Sequence, residues 1–348
     1  MLDKKQIQTL REHLERAQNP IFFFDNDPDG LCAFLLLQRY IGRGKGVAIR
    51  GAPAMSKDYF RKVVELNADY IFVVDRVLVS EEFFKEVEKI NLPVVWIDHH
   101  DIQKNLPEFV DYYNPVSEKN FPTSYFCYQV SQKKEDLWLA IAGCISDAFV
   151  PDFYKEFQEK YPDLSIDSDD ALKIRYNSDI GKLEMLFRFG LKDKTTNVIN
   201  MIKFLIKVKT PYEVLEGGKK NYQMHKRFND IEKKYKKLVE KGISVGKDSG
   251  RVLFLRYSGD LSISSELSNE LKYKFPEKII VVAYVDESKG KSNISVRGEN
   301  VKGKVLKILE NFENSSGGGH ENAVGVQIRK NDLEKFEEIF RKELDRKI

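Results

Sequence analysis

Four short stretches of this 348-residue chain concentrate the side chains that could do chemistry. Asp25-Asn26-Asp27-Pro28-Asp29-Gly30 follows the apolar run IFFF, Asp75-Arg76 follows YIFVV, and Asp98-His99-His100-Asp101 follows VVWI; the helical stretch AIAGCIS carries Asp147. Taken singly, each has a plain reading. An Asp-rich turn satisfies local backbone groups, an Asp after a strand caps a helix, and a His-His pair can sit in a core. Gathered in one crevice, these carboxylates would repel one another strongly unless cations neutralised them. Oxygen ligation with one or two imidazoles and no thiolate favours Mn2+ or Mg2+ over structural zinc. Two such ions about 3.5–4 Å apart need a bridging carboxylate and suit in-line attack on phosphorus. Three of the five histidines (99, 100 and 320) lie in such motifs, whereas His13 and His225 lie on charged helices and need no role.

The elements that must bring these residues together are legible as alternation. IFFF, VAIR, YIFVV and VVWI are short apolar runs; between them lie stretches of helical length and pattern, LCAFLLLQRYIG, KDYFRKVVELN and EEFFKEVEKI. That order predicts βαβ units and a parallel sheet, with SYFCYQVSQ and WLAIAGCISDAF as helices packed on it. Ligands of open parallel sheets sit outside the carboxyl ends of the strands, so the acids and both histidines should converge although about 120 residues separate them. Residues 150–210 are helical and less regular. The segment 217–242 reads as one charged connector helix punctuated by glycines, with nine Lys/Arg against three acids, which also suits a nucleic-acid backbone. After 246, the runs RVLFLRY, KIIVVAYVD, SNISVRG and NAVGVQIR predict strands of a second, mixed α/β domain of about 100 residues. There SSGGGH puts three glycines before a histidine, a loop whose N–H groups could approach an anion, and the Arg of SVRG is a natural bidentate phosphate partner.

The ordered set DNDPDG, the Asp after VV, DHH, an Asp in a small-residue helix, then SVRG and SGGGHENAVG resembles the DHH phosphoesterase family with its DHHA1 substrate-binding domain. The resemblance implies an α/β fold in three parts: a parallel-sheet DHH catalytic domain (1–216, with a helical extension from 150), a linker helix (217–245) and a smaller mixed α/β DHHA1 domain (246–348). Phosphatase-like members carry a His where this chain has Phe23; DxDxDG instead resembles RecJ-type single-strand nucleases. Carried over, Asp27 and Asp29 match the paired metal ligands, with Asp25 beside them as a ligand or an outer group. Asp75 matches the metal-bridging Asp, His99 the ligand histidine and Asp147 the last ligand. His100 matches the group poised over the substrate phosphate, oriented by Asp98. Ser295, Arg297, Gly317, Gly318, Gly319 and His320 match residues that grip the substrate.

What this implies is a two-Mn2+ phosphodiesterase, with Mg2+ as the other candidate, acting as an exonuclease on single-stranded DNA or RNA. Its neighbours in class are hydrolases of short oligoribonucleotides, cyclic dinucleotides or adenosine bisphosphate. An inactive replication scaffold disagrees with intact ligands in every motif. The extra OB-fold and C-terminal domains of full bacterial RecJ are not expected here, so long-strand processivity is not implied. Replication or repair proteins are the partners such a role implies.

Composition narrows the field further. With 57 Lys+Arg against 54 Asp+Glu the formal charge is only +3, which excludes coating DNA by charge alone. No apolar run approaches the roughly 18 residues of a membrane span, and the N-terminus lacks a signal peptide's apolar core. A cytoplasmic protein without membrane partners is expected. Cys32, Cys127 and Cys144 form no CxxC pair and are expected as buried, reduced thiols.

Overall fold

In the computed structural model, which describes residues 1–50, 54–115 and 120–344, the predicted alternation becomes a doubly wound sheet. Helix α1 (Lys4–Arg16) leads into β1 (Pro20–Asp25), α2 (Pro28–Ile41) and β2 (Lys45–Ile49). Then come β3 (Ala54–Met55), α3 (Phe60–Glu65), β4 (Tyr70–Val74), β5 (Leu78–Val79), α4 (Glu81–Lys89), β6 (Val94–Ile97) and β7 (Val110–Tyr113). Five strands pair in the order β2-β1-β4-β6-β7, all parallel. β3 and β5 form a separate parallel pair.

The strands are continuously apolar because both faces of the sheet are covered. Phe22, Phe24, Phe72, Val74, Val95 and Ile97 belong to one core with α2, α5 (Thr123–Ser131) and α6 (Leu137–Ser146). Their alternates Ile21, Phe23, Ile71, Val73, Val94 and Trp96 pack with Val63 of α3 and Phe83 and Val87 of α4. All three cysteines are buried and free. β7 escaped the sequence reading because VDYY mixes a buried Val with an exposed Asp at the sheet's edge.

Five helices follow: α7 (Tyr154–Lys160), α8 (Ala171–Asn177), α9 (Asp179–Leu191), α10 (Thr195–Leu205) and α11 (Pro211–Leu215). The connector helix α12 runs over Tyr222–Asp248, displaced toward the C-terminus from the expected 217–242. Gly242 does not end it. A Cβ there would lie 2.7 Å from the Leu271 side chain, so this glycine serves close packing. The chain divides into two compact units within α12, Met1–Phe228 and Asn229–Ile348.

The second unit holds β8 (Val252–Ser258), α13 (Ser264–Lys274), β9 (Ile279–Asp286), β10 (Lys291–Arg297), α14 (Lys302–Leu309), β11 (Ser316–His320), β12 (Ala323–Arg329) and α15 (Leu333–Leu344). Its sheet has the order β11-β12-β10-β9-β8, parallel between β8 and β9 and antiparallel elsewhere. The glycine segment, expected as a loop, is therefore an edge strand. Antiparallel pairing with β12 supplies the order that glycine's own propensity withholds. Among the described residues no helix is long and apolar enough to cross a membrane.

Candidate active site

Strand order 2-1-4 reverses the direction of winding between β1 and β4, and the crevice outside their carboxyl ends is where such sheets place ligands. The sequence puts its acids there. Past β1, Asp27 caps α2, its Oδ1 accepting from Gly30 N at 2.9 Å. Gly30 must be glycine, since a Cβ would lie 2.6 Å from the Asp25 carbonyl oxygen. Asp29, 0% exposed, spans the first turn of α5: its two oxygens accept from Thr123 N (2.8 Å) and Ser124 N (3.0 Å).

Asp75 ends β4 in the left-handed region, φ +58°, which Asp tolerates better than most residues. Its N–H donates to Ile97 O at 2.9 Å, and Trp96 Nε1 donates to the next carbonyl, Arg76, at 3.1 Å. Thr123 Oγ1 donates to Asp75 Oδ1 at 3.1 Å.

His99 stands at the centre. Its side chain is 4% exposed, and Nε2 lies 3.3 Å from both Asp75 Oδ1 and Asp147 Oδ2. Asp147, at 28% exposure the most open of the three, is the residue after α6 and not within it. Candidate ligand atoms of Asp29, His99 and Asp147 lie within 4.8 Å of one another, as do those of Asp75, His99 and His100. Asp25 and Asp27 belong to neither group. Asp25 instead pairs with the buried Arg76, Oδ1 to Nη1 at 2.5 Å. His100 Nδ1 sits 2.7 Å from Asp98 Oδ1, whose residue is wholly buried.

The electrostatics show an unbalanced cluster. Burial, then Asp75 and Asp147, push Asp29 well above the usual carboxylate range. Burial and Asp27 do the same to Asp75, and burial raises Asp147 against the pull of His99 and Arg188. Asp25 is raised to about 6 by burial and Asp27 despite Arg76. Burial would lower His99, but Asp75 and Asp147 outweigh it and hold it at about 11. His100 is likewise raised: burial opposes, and the Asp98 hydrogen bond and charge prevail. His99 Nδ1 is buried without a hydrogen-bond partner. Hard oxygen donors short of positive charge, with one or two imidazoles among them, fit Mn2+ or Mg2+.

In the second unit, Ser295 of β10 pairs with Gly325 of β12, which pairs with Gly318 of β11; Arg297 pairs with Ala323, which pairs with His320. Residues opposite one another across a sheet share a face. Thus Ser295, Arg297, Gly318 and His320 lie on one face, over the small residues Ala323 and Gly325. The Arg297 guanidinium is held by Asn269 Oδ1 (2.6 Å), Ser265 Oγ (3.0 Å) and Val296 O (2.8 Å). Ser295 Oγ donates to Ser264 Oγ at 3.0 Å. A Cβ would meet Leu309 at Gly317 and Ala323 O at Gly319, and would meet nothing within 4 Å at Gly318.

Sequence reasoning gave no role to Arg76, Thr123, Ser124 or Arg188. Arg188 donates from Nε to the buried Glu184 at 2.7 Å, and Arg175 Nε forms an ion pair with the same carboxylate's other oxygen at 3.1 Å. The Glu184–Arg188 spacing of four residues was the available signal. Nothing in the sequence marks the Thr123 and Ser124 amides.

A doubly wound sheet carrying this cluster at its switch point, followed by a second mixed sheet, is the arrangement of the DHH phosphoesterase fold. The chain belongs to the DHH family: residues 21–148 match the DHH family N-terminal domain and 249–346 the DHHA1 domain. RecJ from Thermus thermophilus, in complex with Mn2+, superposes with a TM-score of 0.69 at 14% identity, over 98% of this chain and 54% of that one. This chain thus spans about half of that RecJ. Exonuclease RecJ bound to manganese gives 0.63 at 14% identity, over 98% and 94%. CDC45 from Entamoeba histolytica gives 0.52 at 11% identity, over 97% and 98%. These likenesses show the fold. No curated protein matches the chain.

Proposed function

We propose that this protein is a two-metal phosphodiesterase that hydrolyses single-stranded nucleic acid from an end. The observation that carries the proposal is His99 within 3.3 Å of two carboxylates whose proton affinity is raised by burial and by neighbouring Asp27. Asp27, Asp29, Asp75, His99 and Asp147 would hold two Mn2+ or Mg2+ ions, with Asp75 shared and Asp25 an outer group tied to Arg76. Divalent cations bound there would make the attacking water more acidic and neutralise charge developing on the phosphoryl oxygens.

The chain's own residues do the rest. The α5 amides hold Asp29, and the Thr123 hydroxyl fixes Asp75, so little reorganisation is left for the reaction. Asp98 keeps the His100 proton on the ring and orients it to donate to the phosphoryl group. Residues 246–348 form the substrate domain, where Arg297 and the 317–320 strand hold the terminal nucleotide's phosphate; 1–216 form the catalytic domain and 217–245 the linker.

The test is the purified protein with Mn2+ on end-labelled DNA and RNA strands of graded length, each end labelled in turn. Stepwise shortening from one end is expected. Cleavage confined to dinucleotides, cyclic dinucleotides or adenosine bisphosphate would replace the exonuclease by a small-substrate hydrolase. Metal-replete protein inert on every substrate would leave a scaffold.

A further inference from the structure

Apart from the acidic cluster, the first unit carries an open groove of about 520 Å3 bordered by α10, α11 and the start of α12. Lys203, Lys207, Lys219 and Lys220 line it. None of these four ammonium groups has an ion-pair or hydrogen-bond partner among the described residues. Lys203 lies in the last turn of α10 and Lys207 just beyond its end.

The turn that carries the exposed Lys219 and Lys220 is held at its flanks. Asn221, 5% exposed, donates from Nδ2 to Glu213 O (3.1 Å) and Glu216 O (2.9 Å), and its Oδ1 accepts from Gly218 N at 2.7 Å. His225 Nε2 donates to Val214 O at 2.9 Å. The lining has one acid, Glu213, and its Oε1 is committed to the N–H groups of Lys209 and Thr210 at the cap of α11. The groove therefore concentrates positive charge in a chain that is nearly neutral overall, +3 in sum.

Its lining also includes Met201, Phe204, Val208 and Met224. Phe204 packs against the core and is only partly buried. Unpaired cations around an aromatic and thioether floor are what a single strand needs: anchors for phosphates and a π-face for a base. An acidic peptide would use the cations and leave the floor idle.

We propose that this groove is a second single-strand binding site, seating one or two nucleotides with phosphates on the lysines and a base against Phe204. It deepens the nuclease reading and rests on it, since such a site would hold strand that the acidic cluster is not cutting.

The experiment uses the full chain in EDTA, so that nothing is hydrolysed, and reads anisotropy of a labelled oligothymidylate across a salt series. Replacing all four lysines (K203A, K207A, K219A and K220A together) should lower the slope of log K against log salt by about 0.7–1.4, at roughly 0.7 for each of one or two phosphate contacts. F204L should weaken binding roughly 5–100-fold with the slope unchanged. Removing Lys85 and Lys89, which pair with acids on α4, should leave both readings as in the wild type. An unchanged slope in the fourfold variant overturns the proposal. So does a groove that takes oligoglutamate as tightly as the strand. Mn2+-dependent turnover of bis-nitrophenyl phosphate by the wild type is read separately. Lysine-dependent binding without turnover sinks the nuclease reading and keeps the groove; turnover without lysine-dependent binding does the reverse.

Discussion

Replacing Asp98 by asparagine isolates what the second histidine does. Asp98 is fully buried, and its Oδ1 lies 2.7 Å from His100 Nδ1. The amide keeps shape and volume and removes only charge. A hydrogen bond to a charged group contributes about 1.5–3 kcal/mol against about 0.5–1.5 for a neutral one, so the change removes roughly 1–1.5 kcal/mol from the protonated imidazole. That is about one pKa unit. The sign follows from the partner: Asp98 raises His100, so the Asp98→Asn variant lets the ring lose its proton at lower pH. If His100 donates to the phosphoryl group, the alkaline limb of the kcat/KM profile should move down by about one unit, with roughly a tenfold loss on that limb. Mn2+ affinity, measured by calorimetric titration, should not change. A variant that loses Mn2+ while keeping the wild-type pH profile would refute the reasoning and make His100 a ligand.

Other outcomes follow from the same geometry. EDTA should abolish turnover, Mn2+ should restore it better than Zn2+, and Asp75→Ala should remove it most completely. Because Asp29, Asp75 and Asp147 are raised in the folded chain, the stability they contribute is present at acid pH and lost as pH rises through their folded values. At one fixed Mn2+ concentration the ion should therefore raise Tm more at mildly alkaline than at mildly acidic pH, with a gain of about 5 °C where that concentration reaches a hundredfold excess over Kd, and an equal gain at both would count against the cluster as the binding site. Arg297→Ala and His320→Ala should keep wild-type Mn2+ affinity and lose roughly 10–100-fold in kcat/KM on oligonucleotides, with a smaller loss on bis-nitrophenyl phosphate; equal losses on both substrates would place these residues in the catalytic centre. Gly319→Ala, which needs φ +136° and puts a Cβ 2.3 Å from Ala323 O, should destabilise by about 2–4 kcal/mol in denaturant titration. Gly318→Ala meets no steric obstacle and should melt like the wild type.

The first sheet was legible because its runs are apolar without interruption, which happens only when both faces are covered, and because the acid after each run can belong only to the strand's carboxyl end. Convergence of the segments carrying Asp29, Asp75 and His99 follows from parallel order alone, whereas Asp147 is brought in by the packing of α6. What the sequence could not show were features set by tertiary fit. Gly242 looks like a terminator and is a packing position under Leu271. SGGGH looks like a loop because glycine has no strand preference, yet pairing with β12 makes it an edge strand. Arg76 directly follows Asp75, but which acid it would bind depends on a turn whose backbone enters the left-handed region.

The hidden parts share a physical origin, and it bears on how the site works. Carboxylates drawn together by sheet topology repel, so something must hold them before any cation arrives. In this chain the protonated His99 holds Asp75 and Asp147, and the rest falls to uncharged groups: two backbone amides on Asp29, a threonine hydroxyl on Asp75, a capping amide on Asp27. Arg76 pairs with Asp25, which stands outside both candidate ligand groups. Arg188 is drawn aside by Glu184. Had arginines paired directly with Asp29, Asp75 and Asp147, the cluster would be stable without metal and would have little to gain from binding one. Neutral donors orient these acids without satisfying their charge, which keeps the demand for cations high at the switch point of the sheet.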